Sequence, residues 1–564
     1  MLVAALVAGA LAAPAPGAGA QGTPGKGNAA KREYLVLYKD HASRASAHRA
    51  VQEAGGAIVD ENEAIGLAKV STRNGAFLSD VASQEALYGA ARDEAIGKLR
   101  PADRAKRNDV ERLTRFRTAS KGPGPRAAAR QRGPEPLAPR QWDMRMMHAT
   151  ARGSYAIEKG SKKVLIGIMD TGVAARHPDI RPNFNARLSR NFTHDIPLID
   201  GPCAEDPDHS CKDPATVDEN GHGTHVAGTI GSPINHFGMA GVAPNVTLVN
   251  IRAGQDSGYF FLKPTVDALT YAGRRRIDAV NMSYYIDPWL YNCRHNPADS
   301  PAAKMQQQTI IRATQRAADY ARSRGVTLIS ASGNDHTDLC HPKFDDTSPD
   351  FPPGAAYPRH VTNRCLDMPT EARGVLAINA LGPSGRKSYY SNYGVEQSTV
   401  AAPGGDYYDF PGTKRTERAR NLVLAPYPRA LAVAADEIGP HGKPNTPFVV
   451  RDCKGKPDGT RRCAYYQYLQ GTSMASPHAV GVAALIVSKY GALTGGRYGI
   501  RMRPSAVQRT LQRTARNHAC PRRNPYVYPD PIPAEYTAFC QGNARFNGFY
   551  GHGIADALRA VTRR

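Results

Sequence analysis

The sequence predicts an α/β fold with three layers, in which helices cover both faces of a mostly parallel central sheet, preceded by a small α+β domain. After residue 140, apolar strand-like runs alternate with helical patterns, as they do in βαβ units. The runs are mostly apolar, which is expected of parallel strands buried on both faces. The predicted strands are residues 164–169, 247–251, 279–282, 326–330 and 375–379. Helices are predicted over residues 264–272, 307–323 and 474–490.

The smaller domain is predicted over residues 31–93. Strand and helix patterns alternate there within about sixty residues, a length that makes only a marginal domain on its own. The pattern comprises strands at 34–38, 57–59 and 65–70 and helices at 42–54 and 76–87. Residues 94–140 follow with 13 basic and 5 acidic side chains and many Pro and Gly residues, so we expect a linker that is removed or exposed.

Composition limits the class of protein without deciding the function. The 564 residues are roughly four times the ~150 residues of an average domain, so we expect several segments or a large α/β enzyme. With 41% apolar and 22% charged residues the chain can bury a core, which excludes wholesale disorder, collagen-like repeats and coiled coil. The formal charge of +23 suits a nucleic-acid binder, a protein at an anionic surface or a basic secreted protein.

The first 28 residues are predicted to be a signal peptide with a short spacer. An apolar run over residues 2–15 is followed by small residues from Pro16 to Ala20, which indicates a signal-peptidase cut after Ala20. The alternative is a disordered tail rich in Ala and Gly. No later apolar stretch reaches the ~18 residues of a membrane-spanning helix, so we expect a secreted, extracellular protein without a membrane anchor.

Nine cysteines in an exported chain favour disulfides, since these persist in oxidising compartments. None of them makes a zinc motif. Three close pairs are each expected to staple one loop: Cys203 with Cys211, Cys453 with Cys463, and Cys520 with Cys540. The remaining three, Cys293, Cys340 and Cys365, leave one bridge and one odd thiol, and the sequence does not say which two pair.

Three segments place a chemically useful side chain directly after a strand or at the start of a helix. Asp170 ends the run 164–169, His222 opens a helix of small residues, and Ser473 begins the helix that runs to residue 490. Taken singly, such residues are usually a turn cap, a structural or metal-binding histidine and an N-cap. Together they supply what a nucleophilic serine needs, namely a base to take its proton and an acid to orient that base.

The residues of these motifs and their order along the chain resemble those of the subtilisin-like serine protease family over residues 141–564. The motifs are Asp-Thr-Gly from residue 170, His-Gly-Thr-His-Val-Ala-Gly from 222 and Gly-Thr-Ser-Met-Ala-Ser-Pro from 471. The resemblance implies a subtilisin-like fold with Ser473 as nucleophile, His222 as general base and Asp170 as the residue that orients it. His225, the rival base, is expected to be structural. Glycines are expected to allow close backbone approach at Gly221, Gly223 and Gly471.

The same resemblance implies an oxyanion donor and a substrate cleft. Asn334, directly after the strand 326–330, matches the amide that would stabilise a tetrahedral oxyanion together with the backbone N–H of Ser473. Substrate would lie extended between two backbone edges. The substrate-binding positions are Ser257, Gly258, Ser283, Tyr285, Ser332 and Gly333. Tyr285 stands where relatives usually carry Gly, so we expect the first specificity pocket to be narrowed or re-walled.

A calcium site is also implied by the resemblance. Asp179 in the motif His-Pro-Asp and Asn235 in the loop 232–240 match positions that bind a structural calcium in relatives, and Gln141 would add an oxygen. Such hard oxygen ligands suit Ca²⁺. The alternative is a turn without a ligand. No cofactor is expected for the chemistry itself.

Residues 31–93 resemble the subtilisin propeptide, which acts as an intramolecular chaperone and inhibitor. The domain boundaries are therefore a signal segment (1–28), a propeptide (31–93), a linker (94–140) and a catalytic domain (141–564) with inserts at 335–372 and 405–466. Maturation is expected to cut the chain between residues 88 and 140.

The predicted function is that of a secreted serine endopeptidase made as a zymogen, which cleaves protein or peptide substrates through an acyl-enzyme. Its own propeptide is the expected inhibitor, and we expect a monomer that binds no nucleic acid. One alternative is a binding protein that keeps the fold but has its pocket blocked by Tyr285 and the inserts. Another is a secreted polyanion-binding protein, which rests on the charge and on the basic stretch 94–140.

Overall fold

The described residues of this computed structural model are 30–93, 109–113, 135–205, 209–352, 354–455, 461–495 and 498–562. The predicted signal peptide lies outside them, and so does the linker 94–140 except for residues 109–113 and 135–140. No helix of the described ranges combines the length and the apolar character that crossing a bilayer requires.

The N-terminal domain is a four-stranded antiparallel sheet with two helices on one face. Its elements are β1 (Arg32–Tyr38), α1 (Arg44–Glu53), β2 (Gly56–Asn62), β3 (Leu67–Thr72), α2 (Phe77–Ser83) and β4 (Leu87–Arg92), in the strand order β2-β3-β1-β4. The predicted helix 76–87 is shorter than expected, and β4 was not predicted. Glycine and alanine favour β-structure weakly, but a Cβ at Gly89 would lie 2.8 Å from Thr309 Oγ1, so the small residue lets another part of the chain pack on this strand.

The rest of the chain forms sixteen further strands and nine further helices among the described residues. The strands are β5 (Leu165–Met169), β6 (Arg190–Asn191), β7 (Thr247–Arg252), β8 (Ala279–Met282), β9 (Asn292–Cys293), β10 (Thr327–Ala331), β11 (Phe344–Asp345), β12 (Arg359–His360), β13 (Cys365–Leu366), β14 (Val375–Leu381), β15 (Ser398–Pro403), β16 (Val423–Tyr427), β17 (Val449–Gly455), β18 (Arg461–Leu469), β19 (Ala492–Leu493) and β20 (Ile500–Arg501). The helices are α3 (Asp109–Arg112), α4 (Trp142–Met146), α5 (His222–Gly231), α6 (Leu262–Arg275), α7 (Pro301–Ser323), α8 (Arg429–Ala434), α9 (Thr472–Tyr490), α10 (Pro504–Thr514) and α11 (Ala557–Thr562).

A seven-stranded parallel sheet forms the middle layer, in the order β15-β14-β10-β8-β5-β7-β6. Successive side chains of β5 point to opposite faces. Ile166 and Ile168 join the core shared with α5 and α9, whereas Leu165 and Met169 join the core shared with α6 and α7. The predicted three-layer α/β fold is confirmed, and all five predicted strands are present within one or two residues of the expected bounds.

Three neighbouring strands of this sheet end at the same edge. Met169 of β5 pairs with Met282 of β8, and β8 pairs in turn with β10. Because the strands are parallel, the residues that follow them, among them Asp170, Ser283 and Asn334, are brought together at the carboxyl edge of the sheet. Functional side chains of parallel α/β proteins gather at such an edge.

The predicted insert 405–466 contains most of a second, antiparallel sheet with the order β16-β18-β17. This sheet packs against α5. His225 lies on α5 with its Nε2 3.1 Å from the carbonyl oxygens of both Val423 and Gln467. Burial, together with the charge of His222, lowers the pKa of His225 to about 3, so its ring is neutral and holds the helix to the sheet. His225 therefore has the structural role that the sequence predicts.

The disulfides follow the predicted pattern and resolve the bridge that the sequence left open. Cysteines 203 and 211, 453 and 463, and 520 and 540 are paired. Cys293 pairs with Cys365 across the two short strands β9 and β13, and Cys340 is a buried free thiol. The predicted insert 335–372 is thus tied to the region that follows β8.

The N-terminal domain docks its open sheet face on α6 and α7. Leu35 and Leu37 of β1 join the core that contains Leu269 and Ile310. Ion pairs surround this apolar contact. Asp40 pairs with Arg312 and with Arg316, the latter at 2.6 Å, and Asp60 lies 2.6 Å from Lys263 Nζ.

Candidate active site

Asp170 and His222 are hydrogen-bonded at the carboxyl edge of the central sheet. The Nδ1 atom of His222 lies 2.7 Å from Oδ1 of Asp170, and both side chains are buried. Helix α5 comes this close because its second residue is glycine: a Cβ at Gly223 would lie 2.1 Å from the Gly172 carbonyl oxygen. Burial opposes the charged form of His222, but the charges of Asp170 and Glu111 outweigh it and raise the pKa of His222 well above its ordinary value.

Ser473 is the second residue of α9 and is 4% exposed. The preceding Gly471 has φ 149°, a conformation that side chains other than glycine rarely adopt. The Ser473 hydroxyl donates to the Ser283 carbonyl at 3.4 Å, and among the described residues no hydrogen bond joins it to His222. The hydroxyl therefore lies at a helix N-terminus, where the helix dipole favours developing negative charge.

Asn334 presents its amide N–H groups to the same space. Its Oδ1 accepts hydrogen bonds from the backbone N–H and the hydroxyl of Thr472, at 2.9 and 2.8 Å. Because the backbone N–H is always a donor, these bonds fix which end of the amide is oxygen and turn the Nδ2 atom toward the site. Such a fixed donor is what a tetrahedral oxyanion requires.

A carboxylate from the predicted linker occupies the space between these residues. Glu111 of α3 has Oε1 3.2 Å from Asn334 Nδ2 and Oε2 3.3 Å from His222 Nε2. Burial opposes its ionisation, but the charge and hydrogen bond of His222 and hydrogen bonds from Ser473 and Asn334 lower the pKa of Glu111. The sequence analysis missed this residue. The signal that marks it is the pair of apolar residues that flank it, Val110 and Leu113, at helical spacing in an otherwise polar stretch.

The backbone and neighbours of Glu111 hold its segment in the cleft. The Gln470 N–H donates to the Glu111 carbonyl at 3.2 Å, and Arg112 donates to the Asn220 carbonyl at 2.6 Å. Leu113 is 5% exposed and packs in an apolar cluster with Leu424 and other residues of the second sheet. Segment 109–113 is therefore anchored on both sides of Glu111.

A cavity of about 300 Å³ joins Ser473, His222 and Asn334. Of the predicted substrate positions, Gly258, Ser283, Tyr285 and Gly333 line it, whereas Ser257 and Ser332 lie outside its lining. Tyr285 lines the cavity, and its hydroxyl donates to Asp350 at 2.8 Å. Two carboxylates that the sequence analysis did not single out, Asp335 and Asp367, also line the cavity.

The residues predicted to hold calcium are in contact, but their arrangement does not fit a calcium cage. Asp179 accepts from Asn235 Nδ2 at 3.0 Å and from the backbone N–H of Met239 at 2.9 Å. The loop also turns the backbone N–H groups of Asn235, His236 and Phe237 toward the carboxylate of Glu135. Gln141 donates its amide to the Ala240 carbonyl. Calcium needs converging oxygen atoms, and this loop presents N–H groups to its two carboxylates instead.

A separate cluster of three aspartates surrounds an arginine side chain of the same protein. Ligand oxygens of Asp195, Asp213 and Asp256 lie within 4.8 Å of one another. The buried guanidinium of Arg252 pairs with Asp213, with Asp256 at 2.9 Å and with Asp195 at 3.7 Å. Burial raises the pKa of Asp256 to about 9 although Arg252 opposes this rise. Arg252 thus partly neutralises the cluster.

Comparison with known proteins places these features in a family. A model of the subtilase family matches residues 161–553. Subtilisin DY from Bacillus licheniformis is 26% identical over 344 residues, which are 61% of this chain and 84% of that protein. The nisin leader peptide-processing serine protease NisP from Lactococcus lactis subsp. lactis is 27% identical over 352 residues, which are 62% of this chain and 44% of that protein.

Solved structures agree on the fold. The epidermin leader peptide processing serine protease EpiP from Staphylococcus aureus superposes with a TM-score of 0.59 at 19% identity, covering 95% of this chain and 98% of that chain. Fervidolysin from Fervidobacterium pennivorans, a keratinolytic enzyme related to subtilisin, gives a TM-score of 0.54 at 18% identity, covering 96% of this chain and 62% of that chain. The chain belongs to the subtilase family and is a serine-type endopeptidase.

Proposed function

We propose that this chain is a secreted endopeptidase, made as a zymogen, in which Ser473, His222 and Asp170 form the catalytic triad. The observation that carries the proposal is the 2.7 Å bond between His222 and Asp170 beside a cavity that Ser473 and Asn334 share. Protein or peptide substrates would bind in this cavity. As is general for subtilases, the chemistry needs no cofactor.

The triad would act by acyl transfer. The Oγ atom of Ser473 attacks the scissile carbonyl carbon while Nε2 of His222 takes the hydroxyl proton and Asp170 stabilises the imidazolium. His222 then gives the proton to the leaving amine as the C–N bond breaks, which leaves an acyl-enzyme. A water molecule then attacks the acyl carbon while His222 takes its proton. The ester bond to Ser473 Oγ breaks as His222 gives the proton to that oxygen, which restores the hydroxyl and releases the peptide with a new carboxyl group. Developing negative charge on the carbonyl oxygen is stabilised by Asn334 and the Ser473 N–H.

The oxyanion role of Asn334 gives the first prediction. Asn334→Ala should lower kcat by about 10²–10³-fold and leave KM nearly unchanged, because the donor acts on charge that develops only in the transition state. Steady-state kinetics on a peptide substrate measures both constants. Asn363→Ala, a change of the same kind at an exposed position, is the control. An equal rise in KM with constant kcat would show that Asn334 only binds substrate.

Glu111 supports the zymogen state. One oxygen of its carboxylate lies at His222 Nε2, where the hydroxyl of the nucleophile would donate its proton. The other lies at Asn334 Nδ2, where the oxyanion would bind. While Glu111 is there, His222 is engaged by a carboxylate rather than by Ser473, so the nucleophile lacks its base. Maturation would remove the segment 109–113 from the cleft, in line with a cut between residues 88 and 140.

The docked N-terminal domain would act as the propeptide, and its ion pairs predict a pH dependence. Burial opposes the ionisation of Asp40, but Arg312 and Arg316 outweigh it and lower its pKa, and Lys263 lowers the pKa of Asp60. Carboxylates with a lowered pKa stabilise docking above their ordinary pKa, about 4. Their contribution is lost as the pH falls through the lowered values. Docking should therefore weaken several-fold in acid, a modest effect because Asp40 is nearly half exposed.

Hydrogen exchange tests this second prediction in the full chain with Ser473→Ala, which prevents processing. After correction for intrinsic exchange rates, protection of β4 should fall between about pH 5 and pH 3. Asp40→Asn should lower protection already at neutral pH, whereas Glu53→Gln, at an exposed site, should not. Equal protection of β4 across this range would contradict the role of these ion pairs.

Export and maturation are tested together by one observation. The N-terminal residue of the protein recovered from the culture medium should lie between residues 88 and 141 for the active enzyme. Recovery of the chain only inside cells, or with residue 31 still attached to a fully active enzyme, would contradict a secreted zymogen.

A further inference from the structure

A segment of the predicted insert 335–372 contributes to the lining of the cavity beside Ser473. The Ile286 N–H donates to the Met368 carbonyl at 2.7 Å, and the Thr370 hydroxyl donates to the Ala331 carbonyl at 2.9 Å. These bonds hold residues 367–370 between the chain that follows β8 and the end of β10. Asp367 and Thr370 of this segment line the cavity.

Asp367 is a buried carboxylate without a countercharge. Its side chain belongs to a residue that is 2% exposed, and its Oδ1 has no hydrogen-bond partner among the described residues. Burial and the neighbouring charges of Glu371 and Asp335 raise the pKa of Asp367 well above its ordinary value. Such a group is stabilised by any cation that comes within bonding distance.

Asp335 adds a second carboxylate to the same cavity. It follows Asn334 directly, and its Oδ2 lies 3.5 Å from the amide of Asn392. Burial raises the pKa of Asp335 to about 6. In the described part of the chain, no arginine, lysine or histidine forms an ion pair with Asp335 or Asp367.

Some other buried carboxylates of this molecule are paired with a cation of the chain. Asp345 pairs with Arg359 at 2.5 Å, and Asp406 pairs with Arg386 at 2.7 Å. The cavity next to Ser473 instead holds two acids with which no cation of the described chain is paired. This is the arrangement expected where the cation is supplied by a ligand.

Apolar groups line the cavity together with the two carboxylates. They include the ring of Tyr284, the side chain of Leu290 and the methyl group of Ala331. A side chain that matches both the apolar lining and the carboxylates has an aliphatic stem and a cationic end, as Lys and Arg side chains do. An aspartate or glutamate side chain would be repelled, and an aromatic one would leave both acids desolvated and unpaired.

We propose that this cavity binds a lysine or arginine side chain of the substrate, at the residue that precedes the scissile bond, and that Asp367 and Asp335 determine this specificity. The inference rests on the proposed function, because it takes Ser473 as the nucleophile that places the scissile bond. The linker 94–140, with its 13 basic residues, offers many bonds that such an enzyme would cut during its own maturation.

Matched peptides test the specificity. Four peptides that differ only in the residue before the scissile bond, with Arg, Lys, Gln or Phe there, are compared by kcat/KM on the mature enzyme. We expect Arg and Lys to exceed Gln and Phe by on the order of 10²-fold or more, since pairing a buried charge discriminates this strongly. A preference for Phe or Gln would overturn the proposal.

Variants connect the preference to the two carboxylates. Asp367→Asn should reduce the preference for Arg over Gln by at least about tenfold while the Phe peptide is cut no more slowly. Asp335→Asn should act in the same direction, and it keeps the test valid if Asp367→Asn does not fold. Asp530→Asn, the same change at an exposed residue, should leave the preference unchanged. An unchanged preference in both cavity variants would overturn the proposal.

Binding of benzamidine separates this proposal from the proposed function. Benzamidine, a small cation with an apolar ring, is titrated by calorimetry into the full chain with Ser473→Ala and Glu111→Ala, with and without Asp367→Asn. Binding that depends on Asp367, with no hydrolysis of any peptide by the wild type, would support the cationic pocket and refute the catalytic role. Hydrolysis without a preference for Arg or Lys, and no binding of benzamidine, would support the catalytic role and refute the cationic pocket.

Discussion

Ser473→Ala is expected to lower the turnover of a peptide substrate on the order of 10⁶-fold, the magnitude measured for the nucleophile of subtilisin itself. The Oγ atom forms the covalent bond of the acyl-enzyme, so no other group replaces it. Residual hydrolysis would come from Asn334 and the binding cleft alone. The variant is first cleaved by a trace of wild-type enzyme, which is then removed, and the rate is measured on the resulting mature chain with a chromogenic peptide that carries Arg before the scissile bond.

The control for this variant lies on the same helix. Ser488→Ala changes a hydroxyl of α9 that bonds Glu158 at 3.1 Å, at the far end from the cavity, and should leave turnover unchanged. Full activity of Ser473→Ala would refute the triad. A folded wild type that hydrolyses no peptide would instead favour the alternative in which the fold serves only for binding.

Glu111→Gln is expected to activate the unprocessed chain. The carboxylate forms charge-assisted hydrogen bonds with His222 and Asn334, and each such bond contributes enough that its loss changes a rate by about 10–100-fold. The variant should therefore react faster with a serine-directed fluorophosphonate, measured as the initial rate of labelling of the full-length chain. Its segment should also be displaced more readily from the cleft.

The pH dependence of labelling distinguishes electrostatic blocking by Glu111 from simple steric cover. Glu111 contributes to raising the pKa of His222, so its neutral replacement should lower that pKa. The neutral, basic form of His222 is then available at lower pH, and the rising limb of the rate should shift toward acid. Glu53→Gln, at an exposed position, should match the wild type. A Glu111→Gln chain with wild-type rate and midpoint would show that Glu111 does not restrain the site.

The central sheet could be predicted from sequence because its strands are buried on both faces. Strand β5 is apolar at every position, and Asp170 follows it directly, so the same short segment predicts both a core strand and a site residue. Strand β4 escaped prediction because its Gly and Ala residues are selected by the packing of α7 rather than by strand preference. Contact with α7, which is distant in sequence, therefore determines the residues of β4.

The functional site likewise has a part that could be predicted from the sequence and a part that could not. The partnership of Asp170, His222 and Ser473 follows from local motifs that recur in a fixed order. Glu111 lies in a stretch whose composition indicates an exposed linker, and its position depends on anchors such as Leu113 that are distant in sequence from their partners. Asp367 lies in an insert, and only the folded chain brings it to the cavity that Ser473 lines. The calcium loop could be aligned by motif, but Glu135 redirects its N–H groups.

The most direct test of the account is the position of a serine-directed label. Mature protein is treated with a fluorophosphonate, digested and analysed by mass spectrometry, alongside His222→Ala. If Ser473 is the nucleophile, one residue, Ser473, is phosphonylated, and the label is lost in His222→Ala because only the histidine activates that hydroxyl. A folded chain that is free of residues 30–140 and stays unlabelled, or that carries the label at another serine, would contradict it.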